Sequence, residues 1–208
     1  MTANHDSWEA EYHRRGRLWG GSPPPFPGLP RSCRVLELGC GDGKTVASLT
    51  VGDRRVTAID ISSHAASLCH KACANKGQAD ILIADSRQTP FRNESFDVAI
   101  ASHIAGHLFL AERLQLAGEV FRLLIQGGVI CFRDFSTHDF RFGRGVETEP
   151  GTFTRKNGIA THYFTEDELR ALFAGFTVQS LVQHQWVMRV KGKNFTRAEI
   201  VAEFKKPE

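Results

Sequence analysis

The sequence predicts a doubly wound α/β fold in which a mostly parallel sheet is followed by an antiparallel hairpin. Short apolar runs alternate with helical patterns between residues 34 and 173, the order expected of parallel strands joined by crossover helices. The last β-rich runs follow one another with no helix between them. A glycine-rich turn over residues 39–43 comes directly after the first apolar run, at the strand end where such sheets bind ligands.

The first four predicted strands are short, buried apolar runs. They cover residues 34–38, 55–61, 81–84 and 98–101. A helix over 62–75 joins the second strand to the third, because Ser62 can cap its start and Gly77 can end it. These elements therefore form βαβ units.

A longer amphipathic helix and a hairpin complete the prediction. Apolar residues at three- and four-residue spacings predict a helix over 111–125, which Gly127-Gly128 would end before a strand over 129–132. Thr165-Glu166-Asp167-Glu168 has the pattern of a capping box that opens a helix through Phe173. Three β-rich runs follow, over 176–182, 186–190 and 199–204.

Length and composition predict one globular domain. The 208 residues, 41% of them hydrophobic and 24% charged, exclude the composition of disordered chains. Within the domain 1–208 we expect an N-terminal arm and Pro-rich connector over 1–30 and a substrate-side insertion over 133–164. The first twenty residues lack an apolar signal segment, and no apolar stretch approaches the ~18 residues of a membrane span. We therefore expect a cytoplasmic protein with no membrane contact.

Charge and cysteine content exclude further classes. Lys and Arg number 26 against 23 Asp and Glu, a net charge of +3, which falls short of a dedicated nucleic-acid-binding domain; RNA stays open as a ligand, but charge alone does not argue for it. The five cysteines include no CxxC pair and suit a reducing compartment. Cys69 and Cys73 would share one helix face, but no second pair stands nearby to complete a zinc site. We expect buried thiols and no metal.

The glycine-rich turn admits three nucleotide-binding interpretations. Gly43-Lys44-Thr45 would belong to a phosphate-binding P-loop only with a glycine five positions before Gly43, where Leu38 stands. A dinucleotide fingerprint would need its third glycine at Lys44, which weakens that interpretation. What remains is the pattern Glu37-x-Gly39-x-Gly41-x-Gly43. Its glycines would let the backbone approach a ligand at a helix N-terminus.

This pattern resembles the first motif of class I S-adenosylmethionine (SAM)-dependent methyltransferases, and further matches follow in order along the chain. Asp60 ends the second strand, Asp85-Ser86 ends the third, Phe96-Asp97-Val98 leads the fourth, and Gly127-Gly128 stands before the fifth. The resemblance implies a Rossmann-like, seven-stranded sheet of the class I methyltransferase fold. It also implies SAM as cofactor and S-adenosylhomocysteine as product.

The resemblance further implies which residues contact the cofactor. Asp60 would accept the ribose hydroxyls, while Asp85 and the Ser86 N–H would face the adenine; the alternative for both aspartates is that they cap the turns after them. Glu37 would either bond the loop backbone or help hold the methionine amino group. Tyr12 and Trp19 would close over the cofactor from the arm. The full expected set is Tyr12, Trp19, Glu37, Gly39, Cys40, Gly41, Asp60, Ile61, Asp85 and Ser86.

The second half of the chain resembles the tRNA 3-methylcytidine methyltransferases. The resemblance covers residues 31–207 and rests on Arg133-Asp134-Phe135, Asp139, Arg141-Phe142, Phe153-x-Arg155, Gly158 and Tyr163-Phe164-Thr165. It implies methyl transfer to a tRNA base nitrogen. Those relatives carry a longer N-terminal region that helps to grip RNA, so we expect a small helper protein here, with the chain a monomer or part of a heterodimer. Methylation of a small metabolite at N, O or S and a non-catalytic SAM-binding scaffold stay open, and DNA is not expected.

Candidate catalytic residues stand near the ends of the fourth and fifth strands. His103 would orient or deprotonate an acceptor, with a structural histidine as the equal alternative. Arg133 and Asp134 would orient the base. Arg141 and Arg155 would bind substrate, because they lie in an insertion that mixes cations with aromatic residues. Nearby acids almost cancel those cations, so a solvated lid is the rival interpretation.

Overall fold

The computed structural model describes residues 3–18, 26, 28–50, 52–74 and 79–208. Its helices are α1 (Ala3–Arg15), α2 (Val46–Leu49), α3 (Ser63–Cys73), α4 (Leu110–Leu123) and α5 (Glu166–Leu172), with a 3₁₀ turn at Ala105–His107. Its strands are β1 (Arg34–Leu38), β2 (Arg55–Asp60), β3 (Ala79–Ile83), β4 (Phe96–Ser102), β5 (Leu124–Phe135), β6 (Val146–Glu149), β7 (Thr152–Thr154), β8 (Ala160–His162), β9 (Thr177–Val190) and β10 (Lys193–Lys205). Among the described helices, none is both long and apolar enough to cross a membrane.

The main sheet has seven strands in the order β3-β2-β1-β4-β5-β10-β9. β1 pairs in parallel with β2 and β4, and β5 pairs in parallel with β4. β10 is antiparallel to both β5 and β9. The strand order reverses between β1 and β4, which is the switch point where open α/β sheets bind ligands. The predicted doubly wound sheet with a C-terminal antiparallel hairpin is confirmed.

The C-terminal hairpin is longer than the sequence predicted. β9 is one continuous strand where two runs were expected, and β10 begins at Lys193 and not at residue 199. The pairing with β5 stops where Glu199 lies opposite Phe135, so residues 185–197 form a two-stranded ribbon beyond the sheet. We call this segment the ribbon. Because water reaches the ribbon, its sequence lacks the alternation of apolar and polar residues by which half-buried strands are predicted.

The Gly127-Gly128 pair does not end α4, contrary to the prediction. α4 ends at Leu123, and the fully buried Leu124 already begins β5. The backbone of Lys206 is hydrogen-bonded to both glycines. Its carbonyl oxygen accepts from the Gly127 N–H at 3.1 Å, and its N–H donates to the Gly128 carbonyl at 2.8 Å. The glycines permit close backbone approach inside the strand. The helix ends earlier because Leu124 already has extended backbone angles, with φ −76° and ψ 141°.

Two apolar layers cover the sheet. On one face, α4 packs Leu116 and Val120 into the larger core cluster. On the other face, α3 packs Cys69 and Cys73 into the second cluster. All five cysteines are buried and none forms a disulfide, as expected for thiols that act as small apolar side chains. The two layers hold the carboxyl ends of the parallel strands in fixed positions.

The insertion predicted over 133–164 is only partly an insertion. Its first three residues complete β5, and β6, β7 and β8 form a small antiparallel sheet. Arg113 of α4 holds this small sheet, since its Nη1 lies 2.8 Å from Glu149 Oε1 and donates to the Leu108 carbonyl at 2.7 Å. Phe135, Phe153 and Tyr163 form a buried cluster beneath it. The segment is a packed subdomain of the fold.

Gly118 and Gly128 lead to opposite predictions for stability. A Cβ built on Gly118, in α4, meets no heavy atom within 4 Å, so Gly118→Ala should raise the free energy of unfolding by about 0.5–1 kcal/mol. A Cβ on Gly128 would lie 2.9 Å from the Ile125 carbonyl oxygen, so Gly128→Ala should lower it by about 1–3 kcal/mol. Urea unfolding measures both changes. Equal effects of the two substitutions would contradict the close packing around Gly128.

Candidate functional site

A cavity of about 400 Å³ lies at the carboxyl ends of the parallel strands, beneath α1. Most of the predicted site residues line it. They are Tyr12, Glu37, Gly39, Cys40, Gly41, Asp60, Ile61, Asp85, Ser86, His103 and Arg133. The sequence therefore located one continuous site from residues that are distant along the chain.

The glycine loop after β1 depends on left-handed backbone. Gly39, Gly41 and Gly43 have φ values of 70°, 53° and 79°, which side chains with a Cβ rarely adopt. A Cβ on Gly41 would lie 2.7 Å from the Tyr12 hydroxyl, and one on Gly39 would lie 2.9 Å from Ile104 Cδ1. The loop thus presents bare backbone to the cavity, as a ligand cradle requires.

Asp60 fastens this loop to the end of β2. Its Oδ2 accepts from the Gly41 N–H at 2.9 Å, and its Oδ1 accepts from the Ser62 N–H at 2.9 Å. Burial raises the pKa of Asp60, although these backbone hydrogen bonds oppose the rise. The carboxylate lines the cavity while it holds the loop. Its remaining acceptor capacity is available to a ligand that donates hydrogen bonds.

Glu37 brings a buried acid to the same end of the cavity. Its side chain is almost fully buried, and Oε2 has no hydrogen-bond partner within the described part of the chain. Burial is the main cause that raises the pKa of Glu37 well above its usual value. An unpartnered buried carboxyl is costly. A cationic group in the cavity would remove that cost by pairing with it.

Asp85 and Ser86 lie where the adenine contact was expected, but Asp85 has a partner of its own. Arg87 donates to its Oδ1 from the backbone N–H and from Nε, both at 2.9 Å. Burial raises the pKa of Asp85, and the Arg87 contacts outweigh burial and lower it. Arg87 also pairs with Glu112. A ligand amino group would therefore share Asp85 with Arg87, and the assigned contact stays a prediction.

The arm closes the cavity through one face of α1. Trp8 and Tyr12 line the cavity, and the Trp8 ring meets the His107 ring edge-on at 4.6 Å. Glu9 anchors the helix, because its carboxylate accepts from the hydroxyl of Ser62 at 2.5 Å. Sequence reasoning missed Trp8, although its spacing of four from Tyr12 places both on one helix face. Trp19, the other predicted contact, lies outside the described residues.

The opposite end of the cavity is one face of the C-terminal half-sheet. Directly paired residues of antiparallel strands point to the same side, and Glu199 pairs with Phe135 while Arg197 pairs with Trp186. Arg133 lies two residues before Phe135 and shares this side. We call Arg133, Phe135, Trp186, Arg197 and Glu199 the hairpin face; all five line the cavity. The sequence signal for Arg197 and Glu199 was two charges at alternate positions beside the apolar Ala198 and Ile200; Trp186 carried no such signal.

His103 lies between two carboxylates at this end. Its backbone has a left-handed φ of 56°, and its N–H donates to the Arg133 carbonyl at 2.8 Å. Nδ1 is 3.6 Å from Asp134 Oδ1, and Nε2 is 3.7 Å from Glu199 Oε2. The ring packs on Phe135 with centroids 4.5 Å apart. The position suits a residue that orients an acceptor.

Asp134 does not reach the cavity, in contrast to the expected catalytic contact. Its side chain is 1% exposed, and its oxygens accept from the N–H groups of Gly106 at 2.7 Å and Phe135 at 2.9 Å. A Cβ on Gly106 would lie 2.7 Å from Oδ1, so the fit is close. Alternation explains the difference, because Arg133 and Phe135 face the cavity and the residue between them must face away. Asp134 therefore holds the Gly106 turn beside His103 and does not contact a ligand.

Arg141 and Arg155 also lie away from the cavity, contrary to their expected substrate contacts. Arg141 Nε lies 2.7 Å from Asp139 Oδ1, and its guanidinium covers the Phe135 ring at 3.8 Å from the centroid. Arg155 is exposed and donates to the Tyr163 hydroxyl at 3.3 Å. The buried Asp139 also pairs with Arg197 at 2.7 Å. The cations nearest the cavity are thus partly neutralised within the fold.

Comparison with known proteins shows which families the chain is similar to. A family model described as a methyltransferase domain matches residues 36–132. The tRNA N(3)-cytidine methyltransferase METTL2 of Gallus gallus is 30% identical over 210 residues, which cover 88% of this chain and 54% of that protein. The chain spans about half the length of this relative.

Two solved structures share the fold. A SAM-dependent methyltransferase from Methanosarcina mazei matches at a TM-score of 0.72 and 24% identity, over 90% of this chain and 100% of that one. The N-methyltransferase NodS of Bradyrhizobium japonicum, in complex with S-adenosyl-L-homocysteine, matches at a TM-score of 0.67 and 17% identity, over 100% of both chains. The expected seven-stranded architecture is confirmed by these likenesses.

Asp134 should make stability depend on pH in the acid range. Burial raises the pKa of Asp134, but His103 and the Gly106 N–H outweigh burial and hold it below the usual 3.8. A carboxyl whose pKa is lowered by folding stabilises the protein above its unfolded pKa, and this contribution is lost as the pH falls through the folded pKa. As the pH falls from about 5 to about 3, the free energy of unfolding should therefore decrease less for Asp134→Asn than for the wild type.

The matched control is Asp53→Asn, at an exposed position away from the cavity. Thermal unfolding followed by circular dichroism across this pH range gives the comparison, and the control should follow the wild type. If the unfolding temperatures of the wild type and of Asp134→Asn fall equally as the pH is lowered, the buried carboxylate adds no pH-dependent stability.

Proposed function

We propose that the chain is a class I SAM-dependent methyltransferase, the class that its matched domain and its fold indicate, and that it methylates a ring nitrogen of a tRNA base. The similarity to a tRNA N(3)-cytidine methyltransferase extends over 88% of the chain. The observation that carries the proposal is the composition of the cavity. A glycine loop suited to SAM lines one end, and the cations and aromatic rings of the hairpin face line the other.

The glycine-loop end fits SAM. A Cβ on Gly41 would lie 2.7 Å from the Tyr12 hydroxyl, so glycine at this position lets Tyr12 approach the loop from α1. The buried, unpartnered Glu37 Oε2 suits the ammonium group of the methionine part. Asp60 would accept from the ribose, and the turn 85–86 would face the adenine, since both line the same cavity. Bound SAM supplies an electrophilic methyl group on a sulfonium, which is a good leaving group.

The hairpin face would hold the acceptor. A pyridine-type ring nitrogen already carries a free lone pair, so the protein has to orient the base and exclude water, not remove a proton. Trp186 is 41% exposed and offers a flat surface on which a base can stack. The Phe135 ring is already covered by His103 and Arg141. Trp8 and Tyr12 cover the cavity and limit the entry of water. For a phenol, thiol or amine acceptor, His103 would instead serve as the base.

The ribbon provides a basic surface next to the cavity. Residues 185–197 contain four cations, Arg189, Lys191, Lys193 and Arg197, and no carboxylate. Arg197 pairs with Asp139, whereas the other three are exposed. Cations of this kind bind phosphates and release counterions from the nucleic acid. The overall charge of +3 conceals this local concentration.

A small-metabolite acceptor is the second candidate. A cavity of about 400 Å³ beneath α1 is within the range of small-ligand sites. In the tRNA proposal, a helper protein would add RNA contacts. The compartment in this proposal is the cytoplasm, which suits the five buried free thiols. Methyl transfer itself requires neither a helper protein nor a particular compartment.

The direct test is methyl transfer from labelled SAM to total tRNA and, separately, to a protein-free metabolite extract. We expect label in a base nitrogen of tRNA, identified by nucleoside mass spectrometry. Label only in the metabolite extract would replace the proposal by the second candidate. SAM binding without turnover on either would indicate the non-catalytic scaffold.

Removing the exposed ribbon cations should weaken tRNA binding and reduce its salt dependence. The variant is Arg189→Gln with Lys191→Gln and Lys193→Gln. Each lost phosphate contact lowers the slope of log affinity against log salt by about 0.7–0.9, so three should lower it by about 2–3. Filter binding of tRNA at several salt concentrations measures this change, and SAM affinity should stay within about threefold.

The control removes three exposed cations that lie outside the ribbon and the cavity lining, Arg55→Gln with Lys71→Gln and Arg92→Gln. The change in net charge is identical, so long-range electrostatics alone would affect the two variants alike. We expect tRNA affinity and its salt dependence to decrease slightly in the control and strongly in the ribbon variant. Equal decreases would show that tRNA does not bind the ribbon.

A further inference from the structure

We propose that Glu9 is a positioning residue whose contacts with α3 hold α1 over the cavity and slow the dissociation of the cofactor. The inference rests on the cofactor half of the proposed function, because it requires SAM to bind beneath α1. It does not depend on which acceptor is methylated. Glu9 was not among the residues that the sequence suggested.

Glu9 binds the N-terminus of α3 from another helix. Its Oε2 accepts from the Ser62 hydroxyl at 2.5 Å and from the His64 N–H at 3.3 Å, and its Oε1 accepts from the Ser63 hydroxyl at 2.9 Å. The N–H groups of a first helical turn lack partners within the helix and attract negative charge. Burial raises the pKa of Glu9, and these contacts outweigh burial and lower it. We call this set of hydrogen bonds the α1–α3 contact.

α1 contributes few apolar side chains to the fold. Its two large apolar residues are Trp8 and Tyr12, and both line the cavity. A ligand in the cavity would add to the surface against which these two rings pack. Docking of α1 and binding of a ligand should therefore strengthen each other. With so little apolar packing, the polar contacts of α1 decide how firmly it stays in place.

Helix geometry separates the residues that fasten α1 from those that cover the cavity. Glu9 and His13 are four residues apart and face α3, where the His13 ring lies 4.9 Å from the His64 ring. Trp8 and Tyr12 are also four residues apart and lie about 100° further around the helix. Glu9 is not among the residues that line the cavity. A change at Glu9 therefore alters how α1 is held without removing a group that lines the site.

The α1–α3 contact joins α1 to the acid that would accept the ribose. Ser62 is fully buried, and its N–H donates to Asp60 Oδ1 at 2.9 Å. Its hydroxyl oxygen also accepts from the Ala65 N–H at 3.0 Å, which caps α3. Ser62 thus gives Glu9 a partner in a fixed position. The position of α1 is thereby tied to the glycine-loop end of the cavity.

The same contact can open without unfolding the sheet. Ser63 is exposed and Glu9 is partly exposed, so water can replace the hydrogen bonds that the two residues share. Elements held by few apolar contacts and by solvent-accessible hydrogen bonds open locally at low cost. α1 can therefore lift to let a cofactor in or out while the core stays folded.

The kinetics of cofactor binding distinguish this role from a purely structural one. If dissociation requires α1 to lift, loss of the α1–α3 contact increases the fraction of molecules with α1 lifted and raises koff. Association also requires α1 to lift, so kon should stay unchanged or rise. A structural role of Glu9 in shaping the glycine loop would instead lower kon.

The experiment measures kon and koff of S-adenosylhomocysteine on the immobilised full-length protein by surface plasmon resonance. Glu9→Ala should raise koff by about tenfold, as expected for loss of hydrogen bonds to a charged group that is partly exposed, without lowering kon. Glu9→Gln keeps an acceptor oxygen but loses the charge, so koff should rise less. This milder variant also decides the question if Glu9→Ala is unstable.

Two further variants test the partner and the specificity of the effect. Ser63→Ala removes one donor to Glu9 and leaves the Ser62 cap of α3 in place. It should raise koff moderately, and the double variant Glu9→Ala with Ser63→Ala should match Glu9→Ala alone, because the two residues act through one contact. The matched control is Asp6→Ala, which removes an acid from the same helix at a side chain that is 74% exposed. Its koff should stay within about twofold of the wild type.

Trypsin reports directly on whether α1 lifts. Arg14 and Arg15 are exposed near the end of α1, with side chains 67% and 54% exposed. Cleavage there requires local opening of the helix. S-adenosylhomocysteine should slow cleavage of the wild type, and Glu9→Ala should be cleaved faster than Asp6→Ala. Equal cleavage of these two variants contradicts the role of Glu9.

The outcomes distinguish this inference from the proposed function. An unchanged koff in Glu9→Ala, or a kon that falls in that variant, overturns the role of Glu9 and leaves cofactor binding and tRNA methylation intact. A wild type that binds neither SAM nor S-adenosylhomocysteine overturns the proposed function, and the role of Glu9 with it.

Discussion

The carboxylate of Asp60 is the interaction on which the glycine-loop end of the cavity depends. One oxygen holds the Gly41 N–H and the other holds the Ser62 N–H, each at 2.9 Å. The Ser62 hydroxyl in turn donates to Glu9 of α1 at 2.5 Å. One buried acid thereby joins the glycine loop, the crossover helix and the arm. Because burial raises the pKa of Asp60, hydrogen bonds from a ligand would stabilise its charged form and tighten all three elements together.

A second buried acid organises the other end of the cavity. Asp139 pairs with Arg141 and Arg197 at 2.7 Å each, and both guanidinium groups lie over the Phe135 ring. These cations would suit phosphate contacts by composition, yet the fold uses them to fix an aromatic ring. Exposed cations come instead from the ribbon. Position relative to a buried acid, not residue type, decides which arginines remain available to a ligand.

The sequence predicted what depends on local patterns and missed what depends on register. The parallel strands and the glycine loop were predicted because apolar runs and glycine spacing are contiguous. Glu199 and Trp186 face the cavity only because of their pairing across antiparallel strands, where a shift of one residue would reverse every side chain. Asp134 was misplaced because β5 was predicted to end at residue 132. Had β5 been extended to Phe135, alternation would have turned Asp134 away from the cavity.

The two ends of the cavity therefore differ in how freely they can change. At the glycine loop, positive φ values and contacts below 3 Å leave no space for a Cβ on Gly39 or Gly41. On β10, the fully buried Ala198, Ile200 and Ala202 hold the strand to the core on the side opposite the cavity. Residues at the alternate positions, such as Glu199, can then vary without loss of that packing. If the proposed function holds, a constrained cofactor end and a variable acceptor end allow one fold to keep its cofactor while its substrate changes.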